Sequence, residues 1–229
     1  EATGTPWQDQ LSSRIFKPLG MTRTTARASV ADAVGWPVAK PYSFAAADRT
    51  QPLYLRKTDA TMHAAGGMLS TAPDLATFLI AQLADGKLGR KQVLPAAVVR
   101  ASHIRQATTD SRYLDFPRDG YAWGWYTGPY KGQTMLHHFG TFPGYSAHLS
   151  FLPGQQMGLV ILHNEDMLSR ETTSTPRARV ERPAVGVQSG KRGQQRGVDV
   201  EDAAAPLGDE IVGEEAHIAC EGDGFDACI

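Results

Sequence analysis

The chain has 229 residues, 23 Lys and Arg against 24 Asp and Glu, and a formal net charge of -1. That balance leaves no electrostatic footprint for nucleic acid or an anionic lipid surface. No apolar run approaches the roughly 18 residues of a membrane-spanning helix.

The first ten residues, EATGTPWQDQ, have neither the basic start nor the apolar core of a signal peptide, and no initiator Met. The sequence is therefore expected to begin partway through a longer protein. Trp7, Leu11 and Ile15 then recur at i, i+4, i+8, the stripe of a helix that should stop at Pro18-Leu19-Gly20. Residues 22–60 show no period and read as irregular connection, with room for a short strand near Tyr42 or Tyr54.

In AAGGMLSTAPDLATFLIAQLADG, Thr71 and Asp74 have capping-box spacing and Pro73 is tolerated in the first turn. Leu75, Phe78, Leu79 and Leu83 line one face, and Gly86 closes the helix. Gly66-Gly67 lacks the Gly-Lys-Ser/Thr ending of a phosphate loop and reads as a tight turn near a cleft. LPAAVVRASHI reads as a further short helix from Pro95.

After Gly120 the period becomes two. YAWGWY, QTMLHHF, YSAHLSFL and MGLVILHN predict strands near 121–126, 134–139, 145–152 and 157–163, joined by GPYKG, GTFPG and PGQQ. Trp123 and Trp125 would share a strand face, as core or cleft wall. Tyr145, Ala147, Leu149 and Phe151 would face one way and Ser146, His148 and Ser150 the other. The expected fold class is α+β, an antiparallel meander flanked by helices over residues 1–166.

Beyond residue 166 the pattern ends. Arg170 to Arg196 is mostly basic, and the chain from Asp199 onward has acids and no Lys or Arg. Like-charge blocks with few large apolar residues predict a disordered tail over 167–229, of the kind a reading-frame change after Asp166 produces. The only cysteines, Cys220 and Cys228, lie in that tail and cannot staple the body. The basic run has no interleaved aromatics and predicts a solvated segment, not a nucleic-acid site. His137 and His138 are strand neighbours and point to opposite faces, and no acid or cysteine completes a set, so no metal and no cofactor are expected.

The order of motifs resembles the serine β-lactamase-like family of class C β-lactamases, related esterases, D-aminopeptidases and penicillin-binding proteins. IFKPLGMTRTT is similar to its Pro-Leu-Gly-Met segment, AAGGMLSTAPDLATFL to its Gly-Gly-x-x-Ser-Thr helix start, and YAWGWY to its Tyr-Gly-x-Gly-Trp strand. HHFGTFPGYSAHLSFLPGQQMGLVILHN resembles its His-x-Gly turn and two closing strands. The likeness covers residues 4–164 and implies a β-lactamase/transpeptidase-like fold. It further implies export to the periplasm or beyond, and a small ester, amide or β-lactam as substrate.

Of the family's three catalytic elements only the last is present. No Ser is followed three places later by Lys, and the only Asn, Asn164, has no Tyr two places before it. The missing elements are expected upstream of Glu1, so the parent would be a serine hydrolase and this chain alone inactive. Carried over, the third element's roles fall to His138, Gly140 and the backbone N–H of Thr141: polarity near the substrate, room at the strand edge, and an oxyanion donor. The alternatives are a non-catalytic binding or scaffold protein of the same fold and, further off, a metal-dependent hydrolase. Oligomeric state is not legible.

Overall fold

A computed structural model describes residues 3–43, 45–113, 116–166 and 185–190, the last six by their backbone. Helix α1 (Trp7–Leu11) passes through a π turn (Ser12–Phe16) into α2 (Lys17–Leu19). Pro18, two residues past the widened turn, has no N–H to offer an i−4 carbonyl. Gly20 ends the run at φ 69°, a conformation that glycine adopts without Cβ strain. Trp7, Leu11 and Ile15 pack against the main core, as the stripe predicts, and Phe16 and Leu19 are buried in it.

The stretch read as irregular holds one helix and one short strand. Helix α3 (Ala28–Val34) buries only Ala28 and Ala31, against Leu69 and Trp36. Two alanines on a helix leave almost no apolar period, which is why the sequence conceals it. Strand β1 (Tyr42–Ser43) pairs in parallel with β10 (Glu165–Asp166). Tyr54 is 94% exposed and lies in no strand. A short helix α4 (His63–Gly66) precedes α5 (Ala72–Leu83).

Half of the expected capping box forms at α5. Thr71 Oγ1 accepts from the Asp74 N–H at 3.3 Å. The Asp74 carboxylate does not reach back; it accepts from the Arg23 N–H at 2.9 Å and the Thr24 hydroxyl at 2.6 Å. Those donors belong to the chain just after α2, so a local cap has become a tertiary tie. Gly86, at φ 83°, closes the helix by donating its N–H to the Ala81 carbonyl. A small hairpin, β2 (Lys87–Leu88) with β3 (Lys91–Gln92), leads to α6 (Ala96–Ser102) behind Pro95.

The sheet comprises β4 (Ala107–Tyr113), β5 (Phe116–Tyr121), β6 (Tyr126–Tyr130), β7 (Gln133–Phe142), β8 (Tyr145–Leu152), β9 (Met157–His163) and β11 (Val185–Gly190). Its order is β11-β9-β8-β7-β6-β5-β4. From β4 to β9 every neighbour is antiparallel and consecutive in the chain. The last three predicted strands therefore stand as expected. The first does not: residues 122–125 form the turn between β5 and β6, with Gly124 at φ 80° and the Ala122 N–H donating to the Trp125 carbonyl at 2.7 Å. Trp125 is buried and Trp123 is 61% exposed, so they share no strand face. Two aromatics spaced by two suit a strand and this turn equally well. Strands β4 and β5 lie in a polar stretch where alternation is weak.

Strand β11 runs parallel to β9. It falls inside 167–229, the segment expected to lack structure; the rest of that expectation, with both cysteines, lies outside the described residues.

The core sits where α5 crosses one sheet face. Leu75, Leu79 and Leu83 meet Leu136, Phe151, Val160 and Leu162. Gly158 lets the helix come close, because a Cβ there would stand 3.2 Å from Leu79 Cδ1. On β8, Ala147, Leu149 and Phe151 join this core, as the alternation predicts. The polar set is buried too, with Ser146 at 1%, His148 at 2% and Ser150 at 8% exposure. The sheet is thus covered on both faces, and the second face carries polar side chains.

Candidate active-site wall

Strand β7 is longer than its neighbour β6. It pairs with β8 along Leu136–Phe142, but its contact with β6 ends at the pair Tyr126–His137. From His138 to Phe142 no strand pairs with that edge among the described residues. All three predicted site residues fall on this overhang, which the pairing with β8 holds extended. His138 opposes Leu149, Gly140 opposes Ala147, and Thr141 opposes Ser146.

Gly140 and Thr141 are exposed. A Cβ on Gly140 would meet nothing within 4 Å, so open space flanks the strand here. Its value, on this geometry, is access to the strand's backbone and not relief of an internal clash. His138 is half-buried, its ring stacked on Tyr126 at 5.6 Å and edge-on to Tyr121 at 6.3 Å. Burial pushes its imidazole below the ordinary histidine range, opposed by a backbone contact at Phe139 and reinforced by the Arg118 guanidinium. At neutral pH His138 is therefore a neutral imidazole, able to donate from one nitrogen and accept at the other. Alternation sends His137 to the opposite face, where it is fully buried.

The far end of the overhang is braced by a residue that the sequence does not single out. Lys57 Nζ donates to the Gly66 carbonyl at 3.1 Å and lies 5.3 Å from the Phe142 ring and 5.9 Å from that of Tyr145. Burial lowers its pKa. A lysine in an aperiodic stretch carries no signal of such a role, since its partners are backbone oxygens and rings far along the chain. Gly66 and Gly67, expected to make a tight turn, instead end and cap the short helix α4. The Gly67 N–H donates to the His63 carbonyl at 2.8 Å, so it is committed within the turn.

A Cβ on Gly67 would lie 2.7 Å from the His63 carbonyl oxygen and 2.9 Å from that of Thr61. Both obstacles are backbone and neither can swing aside. Gly67→Ala is expected to lower stability by about 1–3 kcal/mol, as overpacking does, read as a lower urea midpoint with an unchanged slope. Wild-type stability in this variant would mean that the turn is looser than its geometry.

Among the described residues no group of three or more His, Cys, Asp or Glu is placed to hold a metal ion. No helix among them is long and apolar enough to cross a membrane.

An antiparallel sheet with helices packed on one face and an overhanging His-x-Gly strand defines the β-lactamase/transpeptidase class of fold. The Beta-lactamase family model matches residues 1–182, and the chain belongs to that family. Among solved structures it is similar to an octameric penicillin-binding protein homologue from Pyrococcus abyssi, at 20% identity and a TM-score of 0.53 over 66% of this chain and 32% of that one. It is also similar to the D-amino acid amidase of Ochrobactrum anthropi SV3, at 24% identity and a TM-score of 0.49 over 67% and 42% of the two chains. A class C β-lactamase from Rhodobacter sphaeroides matches at 18% identity and a TM-score of 0.49 over 66% and 47%. The chain thus spans 32–47% of the length of these relatives. No curated protein matches it in sequence. Two of these neighbours, the amidase and the class C β-lactamase, are hydrolases by name.

Proposed function

We propose that this chain forms one wall of a serine-dependent acyl-transfer site and that the parent protein hydrolyses a small ester, amide or β-lactam through an acyl-enzyme. The observation that carries this reading is the overhang: an extended edge over His138–Phe142, open at Gly140 and exposed at Thr141. A substrate laid along it gains backbone hydrogen bonds as an added strand. Its scissile carbonyl is then held beside the N–H of Thr141, which supports the negative oxygen of the tetrahedral intermediate. His138, neutral and amphoteric, hydrogen-bonds a polar substrate group without adding a fixed charge.

The chain has no Ser-x-x-Lys and no Tyr-x-Asn. A serine hydroxyl needs an adjacent base to attack, so the nucleophile and its base come from outside these residues. Assayed alone with a chromogenic β-lactam and a nitrophenyl ester, the chain is expected to show no turnover above buffer. Turnover that a serine-directed inhibitor abolishes would overturn the assignment of the nucleophile. The coding sequence upstream of Glu1 tests the rest. A Ser-x-x-Lys followed by a Tyr-x-Asn-like element there supports the enzyme, and an in-frame start at Glu1 supports a binding or scaffold protein of the same fold.

A further inference from the structure

Around Tyr126, on which the His138 ring stacks, lies a cluster to which the acyl-transfer reading gives no binding role. Arg118, on β5, places its guanidinium carbon 3.5 Å from the ring centroid of Tyr126, 4.8 Å from that of Phe139 and 5.2 Å from that of Tyr113. The neighbouring acid is engaged elsewhere: Asp119 accepts from the Thr127 hydroxyl at 2.6 Å and lies 3.7 Å from Arg105. No carboxylate pairs with Arg118 among the described residues. Its Nε and Nη2 are buried and have no hydrogen-bond partner among the described residues. His137, whose ring lies 5.9 Å from that of Tyr126 and 6.2 Å from that of Phe139, is 0% exposed, and neither of its ring nitrogens has a partner among the described residues.

Buried polar groups in native proteins are nearly always hydrogen-bonded, and leaving a charged donor unpaired in an apolar setting is expensive. These unsatisfied donors are also arranged in one particular way. Nε–H and Nη2–H form the side-on edge of a guanidinium, two parallel donors in one plane. That edge matches the two oxygens of a carboxylate. The rings of Tyr126 and Phe139 lie against the guanidinium. A single positive charge is neutralised by a monoanion, and a dianion would leave buried charge over. Chloride has no second atom for the second prong.

We propose that the Nε/Nη2 edge of Arg118, with one ring nitrogen of His137 as a further donor, binds a small carboxylate between the rings of Tyr126 and Phe139. The site stands on these residues alone and does not depend on the acyl-transfer reading.

The test is a titration of the full chain with sodium acetate against sodium chloride at matched ionic strength. The readouts are calorimetry and the imidazole nitrogen resonances of His137. Acetate is expected to give a saturable isotherm and to move the His137 resonances, and chloride to do neither. Arg118→Met removes the fork and should weaken acetate binding by about tenfold or more, the scale of a charge-assisted bidentate contact. Arg118→Lys keeps the charge and a cation against the rings but has no fork, and should lose a similar factor. Acetate bound equally by either folded variant, or acetate behaving like chloride in the wild type, overturns the proposal. If neither variant folds, the wild-type titration decides alone: unmoved His137 resonances refute the site.

Discussion

Phe151→Ala is expected to remove about 3–5 kcal/mol of stability, the range for deleting a buried aromatic ring from a packed core. Phe151 is 1% exposed. Its ring stands edge-on to Trp125 at 4.9 Å and lies 5.0 Å from His103, and across the sheet it opposes Leu136 and Gly158. The walls of the resulting cavity are strand backbone and large rings, which cannot collapse inward cheaply. A loss of that size is comparable to the whole stability of a small domain. The measurement is a urea transition at neutral pH, with Trp123→Ala as the exposed control. A loss below 1 kcal/mol would mean that the ring is not the keystone where β8, the β5–β6 turn and α6 meet.

The second large effect is on acid stability. Burial, aided by His148, Arg118 and His138, holds His137 down to about 3, and burial, aided by His138, holds His148 down to about 4. An unfolded histidine titrates near 6.5. Between pH 6.5 and about 4 the unfolded chain therefore binds protons at both positions and the native state binds almost none. By linkage, stability rises with pH across this window and falls as pH is lowered through it. Each histidine contributes a slope of about 1.4 kcal/mol per pH unit. Going from pH 7 to pH 5 should remove roughly 4 kcal/mol for the two together. The window lies mostly above the carboxylate range, so it can be told from ordinary acid unfolding. In the double variant His137→Phe, His148→Phe the slope between pH 6.5 and 5 should fall by about two proton equivalents. His103, His138 and His163, also pushed down by burial, supply what remains. An unchanged slope in that variant would show that the two rings are protonated, or exposed, in the native state.

These histidines illustrate how the candidate site was legible and how it was not. The triplet His138-Phe139-Gly140 and the Gly/Pro turn after it stand out in the sequence, and alternation alone sends His137 and His138 apart. That Gly140 borders open space is a different kind of fact. It depends on β6 stopping opposite His137 while β7 continues to Phe142, and no local pattern records where a neighbouring strand ends. Lys57 and Arg118 were invisible for a related reason: their partners are rings and carbonyls brought to them by the fold.

The sequence by itself determined the elements whose apolar spacing matches a single period: the Trp7 stripe, the Thr71-capped helix, and the strands around 134–139, 145–152 and 157–163. It also determined that no Ser-x-x-Lys and no Tyr-x-Asn spacing occurs in this chain, since that is read from local order alone. The tertiary structure decided the rest. It turned YAWGWY from a strand into a hairpin turn, because closing β5 on β6 requires the reversal that Gly124 permits. It redirected Asp74 from its own helix to Arg23 and Thr24, because a buried carboxylate takes whichever donors packing supplies. It buried a polar strand face beneath rings, where imidazoles and a guanidinium acquire properties that depend on desolvation. Periodicity is local and survives in sequence, whereas strand ends, long-range hydrogen bonds and burial exist only once distant segments have packed.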